Sequence, residues 1–229
     1  MNLVDRISFV KDKIDSALTQ CDRSDSVTIV AATKTRDSET IETCIHNGIV
    51  NIGENRVQEA DKKFYAVDPG LVYNKRMIGH LQTNKINKAL RIFDTIDSVD
   101  SLRVAKQLST KSKNMKQQLS VLLAINTSGD KTKFGFDPNN EQDLLECTNL
   151  DDIVVGGLMT IGPVSQERES TLKAFALLRK IKDSINRQID REKKLTVLSM
   201  GMSNDYELGI LQGSTMVRLG TTLFGPRDY

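Results

Sequence analysis

Leu3, Ile7, Val10, Ile14 and Leu18 recur at spacings of four, three, four and four, with charged residues between them. That is the stripe of one helical face, so the chain is predicted to open with an amphipathic helix. The next apolar run is continuous and β-branched: Val27-Thr-Ile-Val-Ala-Ala-Thr33, ending at Lys34. Asp37 follows as an N-cap, then Ile41, Cys44 and Ile45 at helical spacing, then Gly48 as a terminator. This reads as a strand followed by a helix.

The alternation continues along the whole chain. Strands are predicted near Ile49 to Ile52, Tyr73 to Ile78, Thr95 to Ser98, Leu119 to Ile125, Ile153 to Met159, Thr196 to Met200 and Met216 to Leu219. Helices are predicted between them: Val57 to Ala66, Asn84 to Ile92, Leu102 to about Thr110, Glu141 to Cys147 and Asp205 to about Gln212. A longer helix, opened by Ser165 and Glu167, carries Leu172, Phe175, Leu178, Ile181 and Ile185 as its buried stripe. Strict strand–helix order requires right-handed crossovers and a parallel sheet covered on both faces. Eight such units imply an α/β fold, a (β/α)8 TIM barrel with an extra N-terminal helix. The doubly wound open sheet is the alternative, but no G-x-G-x-x-G follows the first strand and there is no P-loop. No Pro/Gly/Ser linker divides the sequence, so one domain over residues 1–229 is expected.

Composition narrows the class. The 229 residues are 38% apolar and 27% charged, with 14 Gly and 4 Pro, the balance of a folded, water-soluble protein. Net charge is +2 with basic residues spread along the length, and the 7 Phe and 4 Tyr come with no Trp, so nucleic acid is not an expected partner. The run Lys106–Lys116 is read as a solvated helix end and loop. No apolar run approaches the ~20 residues of a membrane span, and the alternating N-terminus is not a signal peptide, so a cytoplasmic protein is expected. Cys21, Cys44 and Cys147 are read as reduced packing residues, and His46 and His80 are too few for a His-rich metal centre; no metal site is expected.

In a barrel of this kind reactive groups project from the C-terminal strand ends. The last two ends are Ser199-Met-Gly-Met-Ser203 and Arg218-Leu-Gly-Thr221. Loops after strands seven and eight often form a phosphate cradle. Gly201 and Gly220 would let backbone approach an anion, Ser199, Ser203 and Thr221 would add hydroxyls, and the helix starting near Asp205 would aim its positive end there. A phosphoester ligand is therefore expected, against the plain alternative that Gly and Ser only make turns. Lys34 ends a central apolar strand; a desolvated amine there can attack an aldehyde to give an imine, whereas a lysine at a strand end is ordinarily solvated or ion-paired. Arg218 shares strand parity with Gly220 and is placed in the lumen, where a guanidinium facing a pyridine nitrogen would leave the ring unprotonated.

Taken together, Ala32-Thr-Lys-Thr35, Ile52-Gly-Glu-Asn-Arg-Val-Gln-Glu59, Ile78-Gly-His-Leu-Gln-Thr-Asn-Lys85, Gly157-Leu-Met-Thr160, Leu198-Ser-Met-Gly-Met-Ser203 and Val217-Arg-Leu-Gly-Thr-Thr-Leu-Phe-Gly225 resemble the pyridoxal phosphate homeostasis proteins, the YggS/PROSC family. The likeness runs from about residue 27 to the C-terminus. It implies a fold-type III barrel, similar to the N-terminal domain of alanine racemase, that binds pyridoxal 5'-phosphate (PLP). Lys34 would be the Schiff-base lysine, with Ser199, Gly201, Ser203, Gly220 and Thr221 on the phosphate and Arg218 at the pyridine nitrogen. Asn55 and His80 match family positions at the barrel mouth. Lys133 falls where the family carries a lysine proposed as a secondary PLP contact, although a solvated loop lysine is the simpler reading. The family commonly has Ser-Lys-Thr followed closely by Pro; here Thr33 precedes Lys34 and Asp37 stands in the Pro region.

A two-base racemase needs a second acid/base opposite the lysine. No second domain remains to supply it, and Tyr65, Tyr73, Tyr206 and Tyr229 do not follow strand ends. The resemblance therefore implies a non-catalytic PLP carrier acting in vitamin B6 and amino-acid balance, a monomer, with PLP-dependent apo-enzymes as candidate recipients. The alternatives are a low-activity amino-acid racemase completed by another subunit, and a phosphosugar aldolase or isomerase in which Lys34 forms its imine with substrate.

Overall fold

Eight parallel strands close into a ring in chain order in a computed structural model that describes residues 1–130, 132–165 and 167–226. Tyr229 lies outside the described residues. The strands are β1 (Thr28–Ala32), β2 (Asn51–Glu54), β3 (Asn74–Met77), β4 (Thr95–Val99), β5 (Leu119–Ala124), β6 (Ile153–Met159), β7 (Val197–Met202) and β8 (Met216–Leu219). After the opening helix α1 (Leu3–Gln20), the helices between strands are α2 (Ser38–His46), α3 (Val57–Tyr65), α4 (Ile86–Ile92), α5 (Leu102–Asn114), α6 (Glu141–Thr148), α7 (Arg168–Gln188) and α8 (Tyr206–Leu211), with α9 (Thr221–Phe224) after β8. Closure is made by β8 against β1, where Thr28 pairs with Met216 and Ala31 with Leu219. The expected (β/α)8 barrel is present.

Several boundaries differ from the sequence pattern, β2 and β7 running on to Glu54 and Met202 among them, and two differences have local reasons. Helix α5 runs on to Asn114 because Ser109 and Ser112 pack inward and Lys111 and Lys113 sit at its negative end. Residues Thr83–Lys85 form a 3-10 turn leading into α4. Lys106, in the basic run, pairs with Glu146 of α6 at 2.6 Å.

Strand alternation sorts side chains into two environments. Val30, Leu122, Ala124, Met159 and Met216 meet inside the ring as an apolar plug. The opposite faces pack against the helices; Ala31, Ile52, Val217 and Leu219 join Ile7, Val10 and Ile14 of α1 and Ile41 and Cys44 of α2. Burying Ile7, Val10, Ile14 and Leu18 is worth roughly 1.5–3 kcal/mol each, so α1 is integral to the wall. Cys44 and Cys147 are buried packing residues and Cys21 is half-buried, all as free thiols. Among the described residues no helix is long and apolar enough to cross a membrane.

Candidate binding site at the strand ends

Lys34 shares parity with the lumenal Val30 and emerges two residues beyond β1. It lines a cavity of about 210 Å³ together with Ser203, Arg218, Gly220 and Thr221. Residues from β1, β7 and β8, far apart in the chain, thus meet at one spot. Between the pairs Ser199–Met216 and Met202–Arg218, β7 carries one residue more than β8. This is a bulge, and Gly201 sits in it at φ +102°. The bulge turns Ser203 toward β8, where its Oγ accepts the Gly220 amide at 3.2 Å and the Thr222 amide at 3.1 Å. Two backbone donors therefore converge on an oxygen, the arrangement a phosphate oxygen needs. Asp205 closes the same turn, its Oδ1 accepting the Met202 amide at 2.6 Å. Burial raises the Asp205 carboxyl above the usual range, against the lowering effects of that amide and of Arg218 and Lys133.

Arg218 projects into the lumen as expected and is 5% exposed. Its Nη1 donates to the Ser199 carbonyl at 2.8 Å and to the Ser199 hydroxyl at 2.7 Å, and its Nη2 donates to the Thr160 carbonyl at 2.7 Å. Burial pushes the guanidinium down to about 10, which still leaves it charged at neutral pH, and Asp97 and Asp205 act against the shift. A second lumenal pair accompanies it: Arg76 grips both oxygens of buried Asp97 at 2.8 and 3.1 Å and donates to Asn51.

Two residues expected in the cradle sit elsewhere. Ser199 is fully buried and its hydroxyl is engaged by Arg218, so it braces the guanidinium and does not line the cavity. Gly201 does not line it either. A Cβ on Gly201 would stand 2.7 Å from the Cα of Tyr206, so its conformational freedom serves close packing of β7 on α8. Tyr206 itself is buried in the helix layer.

Asn55 and His80 line a neighbouring cavity of about 300 Å³ with Asp100, Asn126, Lys133 and Phe134. His80 Nδ1 lies 2.7 Å from Asp100 Oδ2, and its ring is stacked on Phe134, centroids 3.7 Å apart at 10°. Lys133 is not a solvated loop residue: Nζ donates to the Gly162 carbonyl at 2.5 Å, and burial lowers its pKa, opposed by Asp130 and Asp205. Gly162 lines the first cavity and its neighbour Ile161 the second, so Lys133 ties down the strip between them. The parts played by Asp100, Phe134, Thr160 and Gly162 had no sequence signal beyond their place near strand ends.

Residues 15–228 match the family described as "Alanine racemase, N-terminal domain". The chain is also 36% identical over 231 residues to the pyridoxal phosphate homeostasis protein of Aquifex aeolicus, covering 100% of both sequences. It belongs to the pyridoxal phosphate homeostasis protein family. A family member from Escherichia coli K12 is 33% identical over 232 residues, 100% of this chain and 98% of its own. PipY of Synechococcus elongatus PCC7942, solved without PLP, superposes with a TM-score of 0.87 at 30% identity over 98% of this chain and 100% of its own. PipY with PLP bound superposes with a TM-score of 0.86 at 29% identity, with coverage of 98% and 100%. An alanine racemase of Clostridium difficile 630 shares the fold at a TM-score of 0.78 and 18% identity, over 98% of this chain and 61% of its own. The family and the barrel that the motifs pointed to both hold for this homeostasis-family chain.

Proposed function

We propose that this chain holds PLP as a Schiff base on Lys34 and serves as a carrier in intracellular PLP balance, without turnover of its own. The observation that supports this best is one cavity lined by the Lys34 amine, the buried Arg218 guanidinium, Ser203, Gly220 and Thr221. The donor set suits the cofactor: an amine for the aldehyde, a cation for the pyridine nitrogen, and the Ser203 and Thr221 hydroxyls beside Gly220 for the phosphate. PLP supplies an electrophilic carbonyl, to which an amine adds with loss of water.

The remaining work falls to the protein. Ser199 and the Thr160 carbonyl fix Arg218 so that its charge stays in place. Arg218 gives up no proton near neutrality, so it would hold a pyridine nitrogen unprotonated, which would suit holding the cofactor better than carbanion chemistry. The described residues lining the Lys34 cavity include no Tyr, His or Cys, and the Asp205 carboxylate is engaged with the Met202 amide. Relatives named as homeostasis proteins and a PLP-bound PipY are consistent with this reading. A monomeric cytoplasmic carrier that delivers PLP to apo-enzymes belongs to the same proposal.

One observation favours a second reading, a racemase of low activity: the His80–Asp100 pair in the adjoining cavity has the form of a proton-transfer dyad. Purified protein loaded with PLP, assayed against single L- and D-amino acids, separates the two. The carrier reading expects a visible imine band and no sustained turnover. Turnover abolished by Lys34→Ala would establish the racemase, and a protein that takes up no PLP would sink both.

A further inference from the structure

Just beyond β1, Lys34 lines the cavity while Thr33 before it is fully buried and turned to the helix layer. There Thr33 Oγ1 donates to Glu54 Oε1 at 2.6 Å. Lys63 of α3 donates to the Thr33 carbonyl at 2.8 Å, to Glu54 Oε1 at 2.6 Å and to Glu59 Oε1 at 3.1 Å. Glu59 Oε1 in turn accepts the Thr35 amide at 2.7 Å. The residues on both sides of Lys34 are therefore tied to one charge cluster behind the barrel wall. Thr35 has φ +66°, a left-handed conformation that a β-branched residue keeps only when its surroundings hold it.

The cluster is a poor source of stability for its own sake. Glu54 is fully buried and its Oε2 has no hydrogen-bond partner among the described residues. The Lys63 side chain is 8% exposed. Buried ions recover their desolvation cost only with full hydrogen bonding, and apolar residues commonly do as well. Burial raises the Glu54 carboxyl despite Lys63 and Thr33. What the cluster does achieve is geometric: it grips the carbonyl before Lys34 and the amide after it.

We propose that Glu59 and Lys63, oriented by Glu54, are positioning residues that fix the Thr33–Thr35 turn and so set the direction and reactivity of the Lys34 amine. The proposal rests on Lys34 being the PLP-bearing lysine. It adds a control acting from outside the cavity, through backbone alone.

Three variants test it, read by amide exchange, by the imine spectrum and by the rate of PLP release. Glu59→Ala removes a half-buried side chain and spares the Glu54–Lys63 pair; Lys63→Met opens the whole clamp, and Lys63→Arg restores a cation. In ligand-free protein, hydrogen–deuterium exchange at the Thr35 amide is expected to quicken at least about ten-fold in Glu59→Ala, with the urea midpoint held. In PLP-loaded protein the imine band and its pH titration are expected to shift, and PLP release to quicken by about ten-fold, roughly 1.4 kcal/mol. Lys63→Met should follow, and Lys63→Arg should recover part of the wild-type spectrum. Wild-type protein that forms an imine at Lys34 while the variants keep its Thr35 exchange, spectrum and release rate would overturn the clamp alone. Wild-type protein that forms no imine at Lys34 would overturn the parent reading and the clamp with it.

Discussion

Replacing Arg218 with methionine removes a buried cation and three hydrogen bonds, to the Ser199 carbonyl, the Ser199 hydroxyl and the Thr160 carbonyl, the first of which keeps the Thr160 amide at 3.1 Å. Two effects oppose each other. Burial that pushes the guanidinium down to about 10 corresponds to roughly 3 kcal/mol against the charged form, which methionine recovers. Against that, hydrogen bonds to a charged donor contribute roughly 1.5–3 kcal/mol each, so three amount to about 5–9 kcal/mol, and the carbonyls left behind are buried. The loss wins: Arg218→Met is expected to cost about 2–6 kcal/mol. Urea unfolding followed by circular dichroism reads this directly. With a slope of roughly 2–3 kcal/mol per molar, the midpoint should fall by about 1 M or more. Arg218→Lys, which keeps the charge but lacks the planar fork, should fall between the two proteins. A methionine variant with a midpoint like that of the wild type would refute the view that these three bonds outweigh the burial of the charge.

Other expectations follow from single contacts. A Cβ at Gly157 would lie 2.0 Å from the Val197 carbonyl oxygen, so Gly157→Ala must part β6 from β7 and should cost roughly 3 kcal/mol or more by the same unfolding assay; a neutral result would contradict the observed strand packing. Asp37 caps α2, accepting the Thr40 hydroxyl at 2.6 Å and amide at 2.9 Å, and Asp37→Ala should lose about 1 kcal/mol. Those Thr40 hydrogen bonds hold the Asp37 carboxyl below the usual range, so the cap's benefit is complete above the ordinary carboxylate pKa and disappears as pH falls through the depressed folded value, below which the two proteins should converge in stability. Phe134→Ala should move the His80 ring protons downfield by removing the stacked ring 3.7 Å away; unchanged shifts would show that the stacking does not persist in solution.

The barrel was legible because two periodicities alternate without interruption, and alternation puts Arg218 and Gly220 on one face, the lumenal one. Closure must bring strand ends together, and for that reason Lys34, Ser203, Arg218, Gly220 and Thr221 line one cavity. Ser199 is expected from the sequence to lend its hydroxyl to a phosphate; its partner is Arg218, 19 residues away on the next strand, and nothing in the local pattern says which of the two the hydroxyl meets. The β7 bulge was not read, although a glycine inside a strand is its signal. Lys133 with Gly162, His80 with Asp100 and Phe134, and Lys63 with Thr33 are pairings between separate βα units. Loop conformation and wall packing decide them, and neither leaves a periodic trace.

The most direct measurement of the central claim is chemical trapping. Purified protein is incubated with PLP, reduced with borohydride, digested and mapped by mass spectrometry. A phosphopyridoxyl group on the peptide containing Lys34, absent from Lys34→Ala, is the predicted result; labelling confined to other lysines such as Lys133, or no labelling at all, would contradict it.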